Sequence, residues 1–561
     1  MSTLMCTPAD PPEARIAIYP ARLIRTLDPA VPTAEALAVR DGRVLAVGTV
    51  EELRGYGDHV VDERYAEKVL VPGFVEAHSH AGSGGMWRMT YLGRFDRRSP
   101  DGRLWTGCAS VPEVLTRLRG AEAALDDPDR TLVAWGLDPI YYPDTVEARD
   151  LDEVSTTRPI CVRHANGHLM VVNSEALRRC GIDSSTTVEG VVRDSSGRPT
   201  GELREFAAMA LVSPLTGGGG LAPDPASLRG LAQDAVNTGT TTVTDLGSRA
   251  VLDPERRRAY LDEAGPDLGV RLDVFHFGAG FGGPAPAEAA AQLAELRTSA
   301  SDPWLRFGNV KLMLDGSIQG FTARLREPGY LGGEPNGLWT TSPEEFEEAL
   351  LAYHRQGLLV HTHCNGDEAS EVFISALERV LRRAPRWDHR HTVTHSQMTT
   401  PDQYRRMAAL GMGANIFANH IWAWGDQHVE LTVGPDRARR MNAAATALAA
   451  GVPVALHSDT PVTPLGPLSS MKHAVTRETP SGRVLGGTER LTPEQALRAV
   501  TLGPAVLLHR DGEIGSLEPG KWADAAILDA DPLDTDPHGL PEIRVSGTMV
   551  GGLHRASALE S

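Results

Sequence analysis

His78 and His80 stand two residues apart in VPGFVEAHSH, at the polar end of an apolar run. Alternate side chains of an extended segment share a face, so both imidazoles can reach one ion. Alone, an HxH pair also occurs as ordinary hydrogen-bonded structure. Four more polar groups follow in serial order: Lys311 in FGNVKLMLDGS, His363 in LLVHTHCNGD, His395 in HTVTHSQ and Asp459 in VPVALHSDTP. Each follows an apolar stretch and precedes a polar loop, the address at which α/β-barrel enzymes place functional groups. Their nitrogen and oxygen donors suit Zn²⁺, one ion or two, with Mn, Fe or Co as alternatives. A metal held there would activate water and polarise a carbonyl, which is hydrolytic chemistry.

Such a set needs strands that end together. Apolar runs at Val69–Val75, Thr241–Asp245, Phe307–Leu314, Leu358–Thr362, Thr392–Thr394, Ala414–Phe417 and Val452–Leu456 read as strands. Between them, Ser227–Thr238, Pro343–Arg355, Glu368–Arg382, Pro401–Ala409 and Pro435–Ala450 read as helices, several opened by a capping residue and proline. This alternation predicts an α/β domain with a parallel sheet over residues 71–509; periodicity alone does not separate a barrel from an open sheet. Residues 1–70 and 510–561 each supply only a few strands, among them two joined by the turn Asp41-Gly42. They are expected to form one small sheet domain together, the alternative being two unrelated edge decorations. Residues 84–225 interrupt the rhythm and read as an inserted subdomain, a wall or lid over the site. Within them Ser213–Pro225, with Gly217–Gly220, reads as a mobile loop.

The motifs PGFVEAHSH, KLMLDGS, HCNGD, HSQ, SDTPV and GSLEPGKWADAAILD resemble the amidohydrolase superfamily. They are most similar to its YtcJ-like branch, amidohydrolase family 3, which includes N-substituted formamide deformylases. The resemblance spans nearly the whole chain and implies a (β/α)₈ TIM barrel, a split β-sandwich and hydrolysis of an amide or similar carbon–nitrogen bond. It implies that His78 and His80 are first-strand metal ligands, that His363 and His395 are fifth- and sixth-strand ligands, and that Asp459 is the last-strand aspartate. Asp459 would both ligate a metal and carry the proton from water to the leaving amine. Lys311 is implied to be N-carboxylated by CO₂ and to bridge two ions. An unmodified ammonium has no acceptor and repels cations, so the modification would reverse its role. Alternatively, Lys311 stays an ammonium that pairs with Asp315 or binds an anionic substrate group. His168 in RHANGHLMVVNS is implied to donate to the developing oxyanion, its alternative being a structural histidine. Glu76 stands where many relatives carry Asp, and His361 and Asn365 depart from the branch's HAIGD-like wording.

Other groups have outer roles. His361 and His457 are expected to orient ligands from behind. Asp315 and Gly316 shape the site beyond the lysine, and Asp367 either fixes a histidine tautomer or caps a helix. Trp87, His420, Trp422 and Trp424, the last three in the loop-like NHIWAWGDQH, are expected to line an apolar or aromatic substrate pocket, or else to pack the loop on the barrel.

Whole-chain properties exclude several functions. A formal net charge of -18 over 561 residues repels phosphate backbones and anionic bilayers, so neither nucleic acid nor membrane is an expected partner. Five widely spaced cysteines are neither a disulfide framework nor a CxxC knuckle and fit a reducing compartment. The first residues lack a basic segment followed by an apolar run, and no stretch has the length of a membrane span, so a cytoplasmic site is expected. No GxxxxGK[ST] or GxSxG pattern appears. The partner is then a small-molecule substrate, with a homodimer as the commonest assembly. The same ligands also serve ester or carbonate hydrolases, deaminases, decarboxylases and isomerases, and a non-catalytic binding protein is the alternative of a different class.

Overall fold

A computed structural model describes residues 15–142, 145–217, 223–278 and 283–560. Eight parallel strands form its centre, in the order Phe74–Ser79, Thr240–Ser248, Arg271–Phe277, Leu305–Met313, Val360–Cys364, Thr392–His395, Gly413–Ile416 and Val454–Leu456. Neighbouring strands pair in that order. A parallel bridge between Ser79 and Thr460 brings the last back to the first, with Asp459 N donating to His78 O at 3.0 Å and His80 N to Thr460 O at 3.0 Å. The result is a TIM barrel. Its strands are too short to bury two faces without helices outside, and helices such as Pro343–Arg355, Asp367–Arg383 and Pro401–Leu410 supply that cover. Ser342 and Thr400 cap two of these through reciprocal bonds with Glu345 and Gln403.

Between the first and second barrel strands the chain leaves to build a six-stranded mixed sheet. Its order is Val191–Arg193, Pro199–Arg204, Leu169–Val172, Ile160–His164, Leu132–Leu137 and Thr90–Tyr91. The chain then returns through the helix Pro225–Asn237, which packs against the second barrel strand that follows it. A third sheet joins strands from both ends of the chain. Val69–Pro72 lies between Ile16–Arg25 and Ala525–Leu528, and the Asp41-Gly42 turn has φ of 53° and 72°, the double positive φ of a type I′ hairpin. The glycine-rich loop expected over 213–225 falls partly outside the described residues, as does the N-terminal segment with Cys6.

Four local expectations need correction. The apolar run Val69–Val75 is not one strand. Val69–Pro72 belongs to the terminal sheet and Phe74–Ser79 to the barrel, because the chain pivots at Gly73, where a Cβ would lie 2.1 Å from Thr241 Oγ1. Arg271–Phe277, the third barrel strand, was not anticipated. Its charges Arg271 and Asp273 mask its strand character and are met by Asp524 and Arg510, more than two hundred residues away. The helix expected over 435–450 breaks into Gly434–Ala438 and Ala444–Ala449 around Asn442, which has φ 50°. NHIWAWGDQH is no loop: Asn419–Gln427 is a helix whose buried face packs inward.

Candidate metal centre

The strand registers dictate what meets at the carboxyl end of the barrel. Met313 is level with His363, and Cys364 with His395, so consecutive strands bring Lys311, His363 and His395 to one end. His78 lies one residue before the end of the first strand, and Asp459 lies three residues past the last. His395 and Asp459 have φ of 69° and 54°, left-handed values that are rare for residues with a Cβ and cluster at functional sites.

His78, His395, His457 and Asp459 each offer one donor atom, all within 4.8 Å of one another and all buried. His78 Nε2 lies 3.3 Å and His80 Nε2 3.2 Å from Asp459 Oδ1, while His395 Nδ1 is 3.8 Å from Oδ2. His363 packs edge-on against His395 with ring centroids 4.4 Å apart. Its Nε2 sits 3.1 Å from Gly316 O and 3.0 Å from Asn365 Nδ2, which directs that nitrogen toward the loop after Lys311. His457, expected behind the ligands, contributes a donor atom of its own to the cluster. It stacks on His78 at 4.8 Å and on Phe417 at 4.8 Å.

Buried polar atoms of native proteins almost always have partners. Here His78 Nδ1, His395 Nδ1, both nitrogens of His457 and Lys311 Nζ are buried without a hydrogen bond, and Asp459 Oδ1 meets only the two imidazoles of His78 and His80. The ionisation of these groups favours cation binding. Burial, reinforced by nearby Lys311, holds the His78 and His395 imidazoles far below their usual range, hence neutral. Burial also pushes the Lys311 amine down to about 7 against the pull of Asp459. For Asp459 burial works upward, but the hydrogen bond and charge of His80 outweigh it and hold the carboxyl below its usual value. Neutral imidazoles with an ionised carboxylate are the donor set a divalent cation takes. The residues therefore fit a metal.

Behind this set, Glu76 reaches across the barrel. Its carboxylate accepts from His78 N, Ser458 N and Ser458 Oγ at 3.0–3.2 Å, tying the first strand to the end of the last. Burial raises it to about 8. His361 lies one layer deeper, with Nε2 3.3 Å from Leu507 O. Asp315 is fully buried and accepts from the backbone of Arg324, Asn365 and Gly366 at 2.8–3.1 Å, so it holds the loops together. Asp367 begins its helix and accepts from Arg326 N at 2.9 Å.

A cavity of about 430 Å³ opens above the cluster, lined among others by His78, His80, Lys311, His363, His395 and Asp459. The inserted sheet forms its far wall and brings in His168. The His168 ring stands 5.0 Å from that of His363, and Glu205 Oε2 is 2.9 Å from its Nδ1. A carboxylate only accepts, so Nδ1 carries the proton and Nε2 is left to the cavity. Burial lowers the His168 pKa, but the Glu205 charge outweighs it and the net shift is upward. Glu205, which sequence reading missed, holds φ 63° and donates its backbone N–H to His168 O at 2.7 Å. Its only sequence signal is a lone carboxylate at a strand-to-helix junction.

None of the aromatic residues expected at the substrate lines the cavity over the cluster, but Trp422 and Trp424 line a smaller cleft that adjoins it through Trp135, Ala165, Pro461 and Val462. Trp87 packs edge-on against Trp135 at 5.3 Å. Trp424 is buried and donates its Nε1 to Asp138 Oδ2 at 2.6 Å, while Trp422 stacks on His473 at 5.2 Å. His420 packs against Phe417 at 4.4 Å, with Nδ1 3.4 Å from Asn442 Nδ2. These contacts fasten the helix Asn419–Gln427 to the barrel and the inserted sheet.

Among the described residues, no helix is long and apolar enough to cross a membrane. The N-substituted formamide deformylase of Arthrobacter pascens is 28% identical, with 95% of this chain and 96% of that protein covered. The protein LONG AFTER FAR-RED 3 of Arabidopsis thaliana is 29% identical, covering 94% and 89%. The crystal structure of an uncharacterized metal-dependent hydrolase from Pyrococcus horikoshii shares the fold at a TM-score of 0.70 and 20% identity, over 93% of this chain and 99% of that one. The family profile described as the amidohydrolase family matches residues 66–553, from the strand before the Gly73 pivot to the last strand of the terminal sheet. With the barrel, the strand-end donors and this match in agreement, the chain belongs to the amidohydrolase family.

Proposed function

We propose that the protein is a metal-dependent hydrolase that cleaves a carbon–nitrogen bond of a small amide, N-acyl, N-formyl or cyclic amide compound. The observation that carries this reading is the cluster of buried, unpartnered donors on His78, His395, His457 and Asp459 beside Lys311 Nζ, at the floor of a cavity. The name of the Arthrobacter pascens relative, a formamide deformylase, supports the choice of bond.

His78, His80, His395, His457 and Asp459 would hold the metal, with zinc first by donor type. His363 would join once its ring is released from Gly316 O. Lys311, buried without a partner, would supply oxygen donors to a second ion after N-carboxylation by CO₂. When bound, the metal lowers the pKa of water from 15.7 to about 7 and polarises the substrate carbonyl. Asp459 accepts the proton of the attacking water and returns it to the leaving nitrogen. The water oxygen ends on the acyl carbon, the C–N bond breaks, and the products are an acid and an amine. His168, with its Nδ1 proton fixed by Glu205, turns Nε2 toward the carbonyl oxygen. In the form protonated at both nitrogens it donates a hydrogen bond to the oxyanion.

The test is stoichiometric metal analysis of anaerobically purified protein, paired with a mixed-substrate assay read by mass spectrometry. Bound metal with an acid and an amine as products is the expected result. Metal with a different mass change replaces the reaction and keeps the site. Full activity in thoroughly metal-free protein overturns the reading.

A further inference from the structure

The barrel has a second opening, at its amino end. A cleft of about 570 Å³ lies there between the barrel and the strand Arg43–Gly48 of the terminal sheet. One buried apolar cluster separates it from the metal centre: Leu359 and Leu508 face the cleft, and Leu246 of the same cluster faces the cavity. An irregularity in the fourth strand shapes the floor. Against the third strand, Asp273 pairs with Arg306 but Phe275 with Asn309, so the fourth strand carries one extra residue near Gly308, at φ 99°. Such a bulge re-aims side chains. It turns Arg306 and Asn309 to the same side, and Asn309 shares the face of Lys311.

Four arginines and two carboxylates line the cleft. Both carboxylates are engaged. Asp302 Oδ1 accepts from Trp304 N at 2.6 Å and Leu305 N at 2.9 Å, and Glu513 accepts from Arg306 at 2.5 Å and Arg510 at 3.5 Å. Among the described residues, neither Arg297 nor Arg386 makes an ion pair. Arg297 Nη1 donates to Gly357 O at 2.9 Å and Arg386 Nη1 to Leu358 O at 3.0 Å. The two carbonyls are consecutive, so one turn holds the two cations in each other's field. Burial, and after it the charge of Arg297, holds the Arg386 guanidinium below its usual value against a weaker pull from Asp388. A guanidinium has five donors, and each of these has one in use. Asn309 adds a side-chain amide without a hydrogen bond to any described residue.

We propose that this cleft is a second ligand site, in which Arg297 and Arg386 clamp an oxyanion group of a small organic dianion, a dicarboxylate or a phosphate monoester. Both ligand types present paired oxygens to a guanidinium fork. The volume suits a small organic molecule better than a bare inorganic ion. Two like charges held together repel, and an anion between them removes that repulsion. Barrel enzymes react at the carboxyl end, so this ligand takes no part in bond cleavage. It instead ties together the loops at Asp302, Gly357 and Arg386, which lead into the strands bearing Lys311, His363 and His395. The site stands on the cleft alone and holds whatever bond the metal centre breaks.

The metal-loaded full chain is titrated by calorimetry with succinate and with phenyl phosphate, ionic strength being held constant with sodium chloride. At least one is expected to bind with a Kd below about 1 mM. Arg297→Gln and Arg386→Gln should each weaken that binding about tenfold or more, the lower end for hydrogen bonds to charged groups. Arg297 is exposed, so its variant keeps the test open even where the one at half-buried Arg386 fails to fold. Arg379→Gln removes the same charge from an outer helix, where Arg379 pairs with Glu347 at 2.7 Å, and should change Kd by less than about twofold. A preference for succinate or for phenyl phosphate names the ligand class, and either upholds the site. No measurable binding of either anion overturns it. So does an equal loss in Arg379→Gln and Arg297→Gln, which reduces the effect to overall charge, and so does binding that survives in both cleft variants, which moves the anion to the metal centre.

Discussion

The two ends of the barrel treat buried polar groups in opposite ways. At the amino end, Arg271 and Asp524 form a two-pronged pair at 2.7 and 2.9 Å, and Arg510 meets Asp273 at 2.8 Å, all four side chains essentially sealed from water. At the carboxyl end, His78, His395, His457 and Lys311 are just as buried, yet each keeps an atom without a partner and none meets a charge other than that of Asp459. Desolvating such groups costs free energy at either end. The amino end recovers most of that cost inside the chain, because each charge meets an opposite charge even though Asp273 Oδ2 and Arg510 Nε keep no partner. The carboxyl end leaves it for a ligand to recover. Burial of charge by itself therefore says little about function; burial of charge without a partner says a good deal.

Substitutions at the two ends should separate stability from activity. The largest effect is expected for Asp459→Asn: kcat/KM falls by about 10³-fold or more, since both proton transfer and a ligand are lost. The melting temperature of metal-free protein should change little, because Asn keeps the size of the side chain and loses only the charge that meets His78 and His80. A variant that unfolds without losing specific activity would erase the contrast. Asp524→Ala does the opposite. Leaving Arg271 charged and unpaired should cost about 3–5 kcal/mol in the free energy of unfolding measured by denaturant, while activity per folded molecule stays within about twofold.

The smallest effect concerns the junction between inserted sheet and barrel. Burial raises Asp138 to about 7 even though Trp424 Nε1 and Ile140 N donate to it. Its folded pKa lies above the ordinary value near 3.9, so its contribution to stability is whole below about pH 4 and is lost as pH rises through about 7. Asp138→Asn keeps an acceptor for Trp424 and removes the titration. The stability of the variant relative to wild type should therefore rise by roughly 1–3 kcal/mol between pH 5 and 8. Parallel pH profiles for the two proteins in chemical denaturation would show that Asp138 is not the group responsible.

What could be read from the sequence follows the same division. His78, Lys311, His363, His395 and Asp459 were visible because each interrupts an apolar run where a strand must end. The third barrel strand was not, because its charged residues are compatible with burial only through Asp524 and Arg510, and no local pattern reports a partner so distant. His457 was read as orienting the ligands from behind, although two residues before Asp459 a continuing strand would put both on one face. The strand ends at Leu456, and both side chains still offer donor atoms to the cluster. Glu205 was silent for a similar reason: its link to His168 spans 37 residues and depends on a left-handed backbone. The tryptophans of the helix Asn419–Gln427 pack a seam and also line a cleft beside the cavity, two placements that composition cannot tell apart.

The single-residue pivot at Gly73 has a consequence for how the molecule is made. The strand Val69–Pro72 immediately before it pairs on one side with Ala525–Leu528, a segment the ribosome delivers some 450 residues later. Until then, Val69–Pro72 is paired on one flank only, by Ile16–Arg25. The anchor of the first barrel strand is thus among the last contacts of the nascent chain to be completed, and long-range pairing of this kind is slow. A truncation that spares every residue of the cluster but removes the final strands would still strike the site, through its foundation.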